Sequence, residues 1–162
     1  MQRMNGTMTR RAVGLIAGGL AASSVYAQRN KPGTTVHQEV DFKAAPARVY
    51  EALLDSKQFA AFTKDSAEIQ RQPGGSFKLF GGRIEGRTIE LVQNQRIVQA
   101  WRASDWKAGF YTVIRFELRA RGSGTRIVFD QAGFLEDDAE WKHLDDGWPL
   151  MYWEPLRKYL DK

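Results

Sequence analysis

The segment Leu144–Leu160, LDDGWPLMYWEPLRKYL, determines the predicted fold because its apolar residues recur at three- and four-residue steps. That spacing is typical of an amphipathic α-helix with one apolar face. The face comprises Leu144, Trp148, Met151, Tyr152, Leu156, Tyr159 and Leu160. Pro155 removes one backbone hydrogen bond and is expected to bend the helix. A stripe this long must pack against a large apolar surface elsewhere in the chain.

The central part of the chain predicts that surface. Short alternating segments joined by Gly-, Pro- and Asn-containing turns occupy residues 67–130 and are typical of an antiparallel meander. Residues 111–120 alternate most clearly, with Ile114, Phe116 and Leu118 on one face and charged residues on the other. The remaining predicted strands cover 67–69, 77–79, 83–92, 96–102 and 125–130. The concave face of this sheet is therefore expected to hold the terminal helix.

The segment before the meander predicts one strand and two short helices. Residues 36–42 alternate as in a half-buried strand. Pro46 suits the first position of a helix, and Asp55 is placed to cap a second helix carrying Phe59 and Phe62. The predicted architecture is an α+β fold in which a curved antiparallel sheet wraps around a long C-terminal helix, with two short helices after the first strand.

The composition bounds the possible functions. A chain of 162 residues with 43% hydrophobic and 27% charged residues is typical of one globular domain. The absence of cysteine excludes disulfides, zinc–thiolate sites and cysteine nucleophiles. Only two histidines are present, so neither a metal site nor another cofactor is expected. Residues 28–162 contain 21 basic and 19 acidic residues, and this near balance argues against a nucleic-acid partner.

The first 27 residues are predicted to be an export signal. Arg10 and Arg11 precede an uncharged, mostly apolar run at 12–22, and Val25-Tyr26-Ala27 provides a cleavage site after Ala27. The run is too short to span a bilayer, so no transmembrane segment is expected. The paired arginines indicate a twin-arginine signal, with a general secretory signal as the alternative. We therefore expect a periplasmic or secreted protein with a short polar tail at 28–34 and one domain at 35–162.

The order of predicted elements resembles the helix-grip fold of the START-like SRPBCC superfamily. The residues are similar, more narrowly, to the family of activator of heat-shock protein 90 ATPase homologues. The motifs that carry this resemblance are FKAAPARVYEAL at 42–53, PGGSF at 73–77, GRIEG at 82–86, IVQAWR at 97–102, GTR at 124–126 and GWPLMYWEPL at 147–156.

The resemblance implies a helix-grip fold with an interior cavity. It does not by itself indicate a particular reaction or ligand. The eukaryotic member after which the family is named is a co-chaperone that stimulates an ATPase. This sequence departs from that member in its predicted export signal and in lacking the additional N-terminal domain. Leu135 also stands where the family often has proline. Both a small-molecule ligand and a protein partner are compatible with the resemblance.

Inward-facing side chains of the sheet and the terminal helix are the candidate ligand-binding residues. Ligand pockets are mostly apolar with a few polar anchors, which this set would supply. The set comprises Phe77, Leu79, Ile89, Trp101, Ile114, Phe116, Phe129, Trp148, Met151 and Tyr152. The alternative is that the same side chains fill an ordinary core. Trp106 and Phe110 lie in a predicted loop, where they could line a cavity mouth, form an interaction patch or cover the sheet edge.

No catalytic residue is predicted. Alternation prevents Glu85 and Glu90 from facing the same side, and His37 lies opposite the apolar residues of its strand. The acidic residues from Asp137 to Asp146 fit no calcium-binding spacing and are typical of a solvated helix start. The leading hypothesis is an exported protein that binds a small hydrophobic or amphipathic molecule under the terminal helix. The alternatives are a module that regulates a partner protein and, third, a helix-grip cyclase or dehydratase.

Overall fold

A seven-stranded antiparallel sheet in the order β1-β7-β6-β5-β4-β3-β2 forms the main layer of the computed structural model, which describes residues 35–135 and 140–162. The strands are β1 Thr35–Phe42, β2 Glu68–Ile69, β3 Ser76–Leu79, β4 Ile84–Val92, β5 Arg96–Ala103, β6 Thr112–Arg121 and β7 Gly124–Ala132. The predicted signal peptide, the polar tail and the acidic residues at 136–139 lie outside the described parts of the chain.

Four α-helices within the described ranges complete the fold. They are α1 Pro46–Leu54, α2 Ser56–Thr63, α3 Glu140–Trp148 and α4 Glu154–Leu160. A five-residue π-helical turn, Pro149–Trp153, joins α3 to α4 without a break, and a 3-10 turn, Phe80–Gly82, joins β3 to β4. The sheet holding one long C-terminal helical segment confirms the predicted helix-grip architecture. None of the helices in the described ranges is long and apolar enough to cross a membrane.

The predicted helix starts are present. Pro46 occupies the first turn of α1, where its missing N–H costs no hydrogen bond. The Asp55 carboxylate accepts a 2.8 Å hydrogen bond from the Gln58 backbone N–H and so caps α2. These two signals fix the short helices that cover one end of the sheet.

Aromatic rings fill the centre of the interface between the sheet and the terminal helix. Trp148 packs on Phe129 of β7 with ring centroids 4.2 Å apart, and Trp153 lies 5.5 Å from Trp148. Phe116 of β6 packs on Phe129 at 5.2 Å. All four side chains are at most 3% exposed, so this part of the interior is a packed core.

A buried chain of hydrogen bonds connects the terminal helix to three strands. The Trp148 indole N–H donates to the Gln131 carbonyl oxygen at 2.8 Å. The Gln131 amide donates to the Thr112 hydroxyl at 2.9 Å, and that hydroxyl donates to the Trp101 backbone carbonyl at 3.1 Å. Gln131 and Thr112 are both completely buried, so each depends on these partners.

A second glutamine holds the helix at the edge strand. The Trp153 indole N–H donates to the Gln38 carbonyl oxygen at 2.6 Å. The Gln38 amide in turn donates to the Asp145 backbone carbonyl and to its carboxylate, both at 2.7 Å. Two indole–glutamine bonds, one to β7 and one to β1, therefore set the position of the helix on the sheet.

The predicted inward position of Ile89 is wrong. Its side chain is 51% exposed because the pairing of β4 with β5 shifts by one residue between Thr88 and Glu90. In such a β-bulge, two consecutive residues of one strand oppose a single partner, and the alternation of faces is interrupted. Thr88 consequently occupies the buried position that Ile89 was expected to hold.

The apolar stripe of the terminal helix also differs from the prediction. Met151 is 41% exposed, whereas Trp153, which was not assigned to the stripe, is 3% exposed. The π-helical turn explains the burial of Trp153, because its i→i−5 bond from the Glu154 N–H to the Pro149 carbonyl inserts one extra residue into the turn. The helix irregularity that was predicted near Pro155 is therefore a π-helical turn, which ends two residues before that proline.

We predict that Gln131→Leu lowers the free energy of unfolding by about 2–3 kcal/mol, because it leaves the Trp148 N–H buried without an acceptor and removes the donor to the Thr112 hydroxyl. Urea unfolding of the variant measures the loss. Gln95→Leu, the same change at an exposed position, should shift stability by less than about 0.5 kcal/mol. Equal effects at the two positions would contradict the assigned role of Gln131.

Candidate functional site

A cavity of about 330 Å³ opens to solvent beside the middle of the terminal helical segment 140–160. The 3-10 turn, the start of β4 and the end of β5 form its sheet side. The end of α3 and the π-helical turn form its helix side. The cavity therefore lies beside the packed aromatic centre, at the end of the sheet away from the β1–β7 edge. Its volume is at the lower end of the range that small-molecule pockets occupy.

The walls of the cavity are mostly aromatic and aliphatic. Four aromatic rings contribute, namely Phe80, Trp101, Trp148 and Tyr152. The aliphatic wall residues are Ile84, Ala103, Leu144 and Met151. Such a lining favours flat or branched apolar groups, with which aromatic faces make large contacts.

Polar side chains gather at the rim. Arg83, Ser104 and Asp105 line the mouth. The Arg83 guanidinium donates to the Asp65 carboxylate at 2.9 Å and to the Phe80 backbone carbonyl at 3.1 Å, which fixes it against the 3-10 turn. The rim therefore combines a paired cation with an exposed carboxylate and a hydroxyl, while the walls below it are apolar.

Phe80 holds an unusual backbone conformation at the wall. Its φ is 53°, in the left-handed region that a bulky side chain rarely adopts, and Gly81 and Gly82 follow with φ of 67° and 87°. The ring nevertheless packs at 5.3 Å from Tyr152 and at 5.5 Å from Phe59. A strained residue of this kind costs about 1–3 kcal/mol and is often found at ligand sites.

Two residues of the cavity wall, Trp101 and Tyr152, carry polar atoms that are fully buried and do not face the open space. The Trp101 indole N–H is directed at the Tyr152 hydroxyl. Burial raises the pKa of the Tyr152 hydroxyl well above its ordinary value, and the indole offsets this only in part. Tyr152 is therefore a neutral hydrogen-bond donor throughout the physiological pH range.

Deeper in the molecule the space between helix and sheet closes. The void lined by Phe77, Leu79, Phe116 and Tyr152 measures only about 10 Å³. That is roughly the space one water molecule needs. The alternative of an ordinary core thus holds for the centre of the interface between sheet and helix, where aromatic rings fill the space, and the cavity lies to one side of it.

The predicted ligand-binding residues fall into three groups. Trp101, Trp148, Met151 and Tyr152 line the cavity. Ile89 is exposed on the outside of the sheet. The others are buried in the core, and they are Phe77, Leu79, Ile114, Phe116 and Phe129.

Sequence reasoning missed several wall residues, chiefly Phe80, Ile84 and Gly147. Gly81-Gly82 was a usable signal, because two consecutive glycines indicated a turn or close backbone approach beside Phe80. Gly147 gave no such signal, since a glycine within a helical pattern does not indicate a cavity. In the structure it lies on the wall, and a side chain there would meet no atom within 4 Å of its Cβ.

Trp106 packs behind the cavity wall. Its ring lies 5.4 Å from Trp101 and 5.2 Å from Phe110. The buried Arg102 guanidinium, paired with Glu85, donates to the Trp106 backbone carbonyl and holds the loop in place. Trp106 is thus half-buried against neighbouring rings in the loop between β5 and β6.

The residues weighed for acid–base chemistry lie away from the cavity. Glu85 pairs with Arg102, and Glu90 pairs with Arg96 at 3.4 Å. The His37 ring bonds the Asp130 carboxylate at 2.6 Å. Burial alone would raise the pKa of Asp130, but hydrogen bonds from His37 and Arg115 hold it below its usual value. Among the residues that the structure describes, no group of three or more potential metal ligands clusters together.

Comparison with known proteins identifies a family to which this chain is similar. The family model described as "Activator of Hsp90 ATPase homolog 1-like protein" matches residues 43–161. The activator of 90 kDa heat shock protein ATPase homolog of Dictyostelium discoideum is 28% identical over 120 residues, which cover 73% of this chain and 31% of that protein. Homolog 2 of Mus musculus is 26% identical over 142 residues, covering 88% and 42%. This chain thus spans less than half the length of these curated relatives.

A solved structure shares the fold. The crystal structure of an Hsp90 activator from Plasmodium falciparum superposes with a TM-score of 0.75 at 19% identity, covering 80% of this chain and 97% of that one. At this identity the match shows the common helix-grip architecture.

We predict a large loss of stability from truncation at the packed centre and a small loss from truncation at the cavity. Phe116→Ala should cost about 3–5 kcal/mol of unfolding free energy, because it empties a packed position. Met151→Ala, at the open mouth, should cost less than about 1 kcal/mol. Urea unfolding of both variants provides the test, and similar losses at the two positions would contradict the division into packed and open regions.

Proposed function

This chain belongs to the Activator of Hsp90 ATPase homolog 1-like family, and we propose that it uses the family fold to bind a small hydrophobic or amphipathic molecule. The observation that carries the proposal is the aromatic cavity of about 330 Å³ beside an otherwise filled core. A core optimised only for stability fills such space, because unfilled volume forfeits packing energy.

The distribution of polarity supports an amphipathic ligand. An apolar body would lie against Trp101, Trp148 and Ile84, while a polar end would face Arg83 and Asp105 at the mouth. Arg83 already pairs with Asp65, so its charge is largely matched before a ligand arrives. The proposed ligand is accordingly held mainly by apolar contact and oriented by the rim.

Regulation of a partner protein is a second candidate, favoured by a separate observation. Ile89 and Val113 expose 51% and 45% of their surface on the outer side of the sheet, away from the cavity. The curated relatives above are named as activators of a heat shock protein ATPase, which agrees with a protein partner. Because the outer face and the cavity are separate, a substitution that fills the cavity should leave such regulation intact.

We also propose export to the periplasm or the medium through residues 1–27. Arg10, Arg11 and the cleavage motif ending at Ala27 support this proposal.

Filling the cavity tests ligand binding directly. Gly147→Leu places a branched side chain in the open space and should weaken binding of the fluorescent apolar probe N-phenyl-1-naphthylamine at least about tenfold. Gly147→Ala is the matched control and should keep the affinity within about twofold. Both changes replace a helix glycine and should raise helix stability by up to about 1 kcal/mol, so unfolding cannot explain the loss.

Fluorescence titration against each variant, together with thermal unfolding, gives the result. A wild-type protein that binds no probe, or a Gly147→Leu variant that binds it as well as wild type, would refute the cavity as a binding site. Stimulation of a partner ATPase that survives Gly147→Leu would support the second candidate instead.

Processing of the N-terminus tests export. The mature protein in the periplasm or medium should begin at Gln28, as shown by N-terminal sequencing. Replacing Arg10 and Arg11 together by lysine should stop export by a twin-arginine route while keeping the positive charge that a general secretory signal needs. Cytoplasmic protein with an intact Met1 would contradict the proposal.

A further inference from the structure

We infer that Met151 is an oxidation site that controls ligand binding: peroxides convert its thioether to a sulfoxide, and the polar sulfoxide lowers the affinity of the cavity for apolar molecules. This inference rests on the proposed binding function and adds a form of regulation to it. It starts from the position of a single sulfur atom in the chain.

Met151 carries the only sulfur atom between residues 28 and 162. The chain has no cysteine and four methionines, and the other three, Met1, Met4 and Met8, fall within the predicted export signal. The sulfur of cysteine and methionine is the usual target of mild oxidants in proteins. Oxidation of the domain by a peroxide is therefore directed to one position.

The side chain of Met151 combines access from solvent with a place on the cavity wall. It is 41% exposed, so a small oxidant can approach it. It lines the cavity together with Gly147 and Trp148, which precede it by four and three residues in the same helical segment. The adjacent Leu150 is 63% exposed but does not line the cavity. Of these two neighbouring exposed residues, the one at the cavity carries the oxidisable atom.

The reaction with hydrogen peroxide needs no catalytic group from the protein. A sulfur lone pair attacks one peroxide oxygen and the O–O bond breaks. The transferred hydroxyl then gives its proton to the departing hydroxide, which leaves as water. Sulfur is oxidised by two electrons and the peroxide is reduced by two. Methionine sulfoxide reductases reverse the change, with two thiols forming a disulfide and the sulfoxide oxygen leaving as water.

Oxidation changes the polarity of the wall at the point where a ligand enters. A thioether is apolar and polarisable and makes favourable contacts with aromatic rings, of which Trp148 is the nearest along the helix. A sulfoxide oxygen at the open mouth instead accepts hydrogen bonds from water. An apolar ligand seated against Met151 would displace that water and offer the oxygen no donor in return, which is costly. Oxidation should therefore favour release of the ligand.

Treatment of the purified full chain with hydrogen peroxide tests the inference. Peptide mass spectrometry should show one added oxygen on Met151, at a rate comparable to that of free methionine in the same solution. The oxidised protein should bind N-phenyl-1-naphthylamine about three- to tenfold more weakly. A methionine sulfoxide reductase with dithiothreitol should restore the affinity. Saturating probe should slow oxidation of Met151 relative to free methionine, because the bound molecule covers the side chain.

Matched variants separate Met151 from other effects of the oxidant. Met151→Leu keeps an apolar side chain of similar size without sulfur, so it should bind the probe within about twofold of wild type and should not respond to peroxide. Met151→Gln approximates the size and polarity of the sulfoxide and should bind as weakly as the oxidised protein. Leu150→Gln makes a similar polarity change on the adjacent residue and should keep the affinity within about twofold.

The outcomes distinguish this inference from the proposed function on which it rests. If the untreated protein binds no probe, both are overturned. If the probe binds but the oxidised protein or Met151→Gln retains full affinity, the inference is overturned and the binding function stands. A loss of affinity in peroxide-treated Met151→Leu would assign the effect to another residue and would likewise overturn the inference.

Thermal unfolding separates a local effect on binding from damage to the fold. Because Met151 lies at the open mouth, its oxidation should lower the melting temperature by no more than about 3 °C. A larger decrease would show that the sulfoxide acts by destabilising the protein, and the inference would then be wrong.

Discussion

Two hydrogen bonds from tryptophan indoles to glutamines inside the sheet determine how the terminal helix sits, and the cavity depends on that placement. Apolar contact alone is non-directional and would tolerate a helix displaced along the sheet. The bonds from Trp148 to Gln131 and from Trp153 to Gln38 require one register, because each glutamine is buried or half-buried and has few alternative partners. Once Trp148 is fixed on Phe129, Gly147 faces the end of the sheet and leaves open space there.

The division between a filled centre and an open end follows from side-chain size along the helix. Trp148 and Trp153 project onto the middle strands, where large rings from β6 and β7 meet them. One residue earlier, Gly147 contributes no side chain, and the 3-10 turn after β3 holds Phe80 at the far wall rather than across the gap. The same sheet therefore supplies a rigid core and a cavity, and the rigid core holds the cavity walls in place.

Sequence patterns predicted the architecture because periodicity and turn residues report directly on strands and helices. The order of elements, the Pro46 and Asp55 helix starts and the burial of most inward positions agree with the structure. The errors at Ile89 and Trp153 share one cause: a β-bulge and a π-helical turn each insert one residue, and a strict period cannot anticipate an insertion. The cavity walls were harder to predict, since whether facing side chains meet or leave space depends on their three-dimensional packing.

Membership of the family establishes the fold, whereas the use of the cavity depends on the residues that line it in this chain. The cavity wall contains a strained Phe80 and encloses unfilled space, and each of these features lowers the stability of the folded chain. A sequence under selection for stability alone has a simple remedy, such as a larger residue in place of Gly147. On the outer face of the sheet, by contrast, the carboxylates at Asp130, Asp41 and Glu90 are paired with arginines. An apolar ligand that fills the cavity would recover part of the lost packing energy on binding.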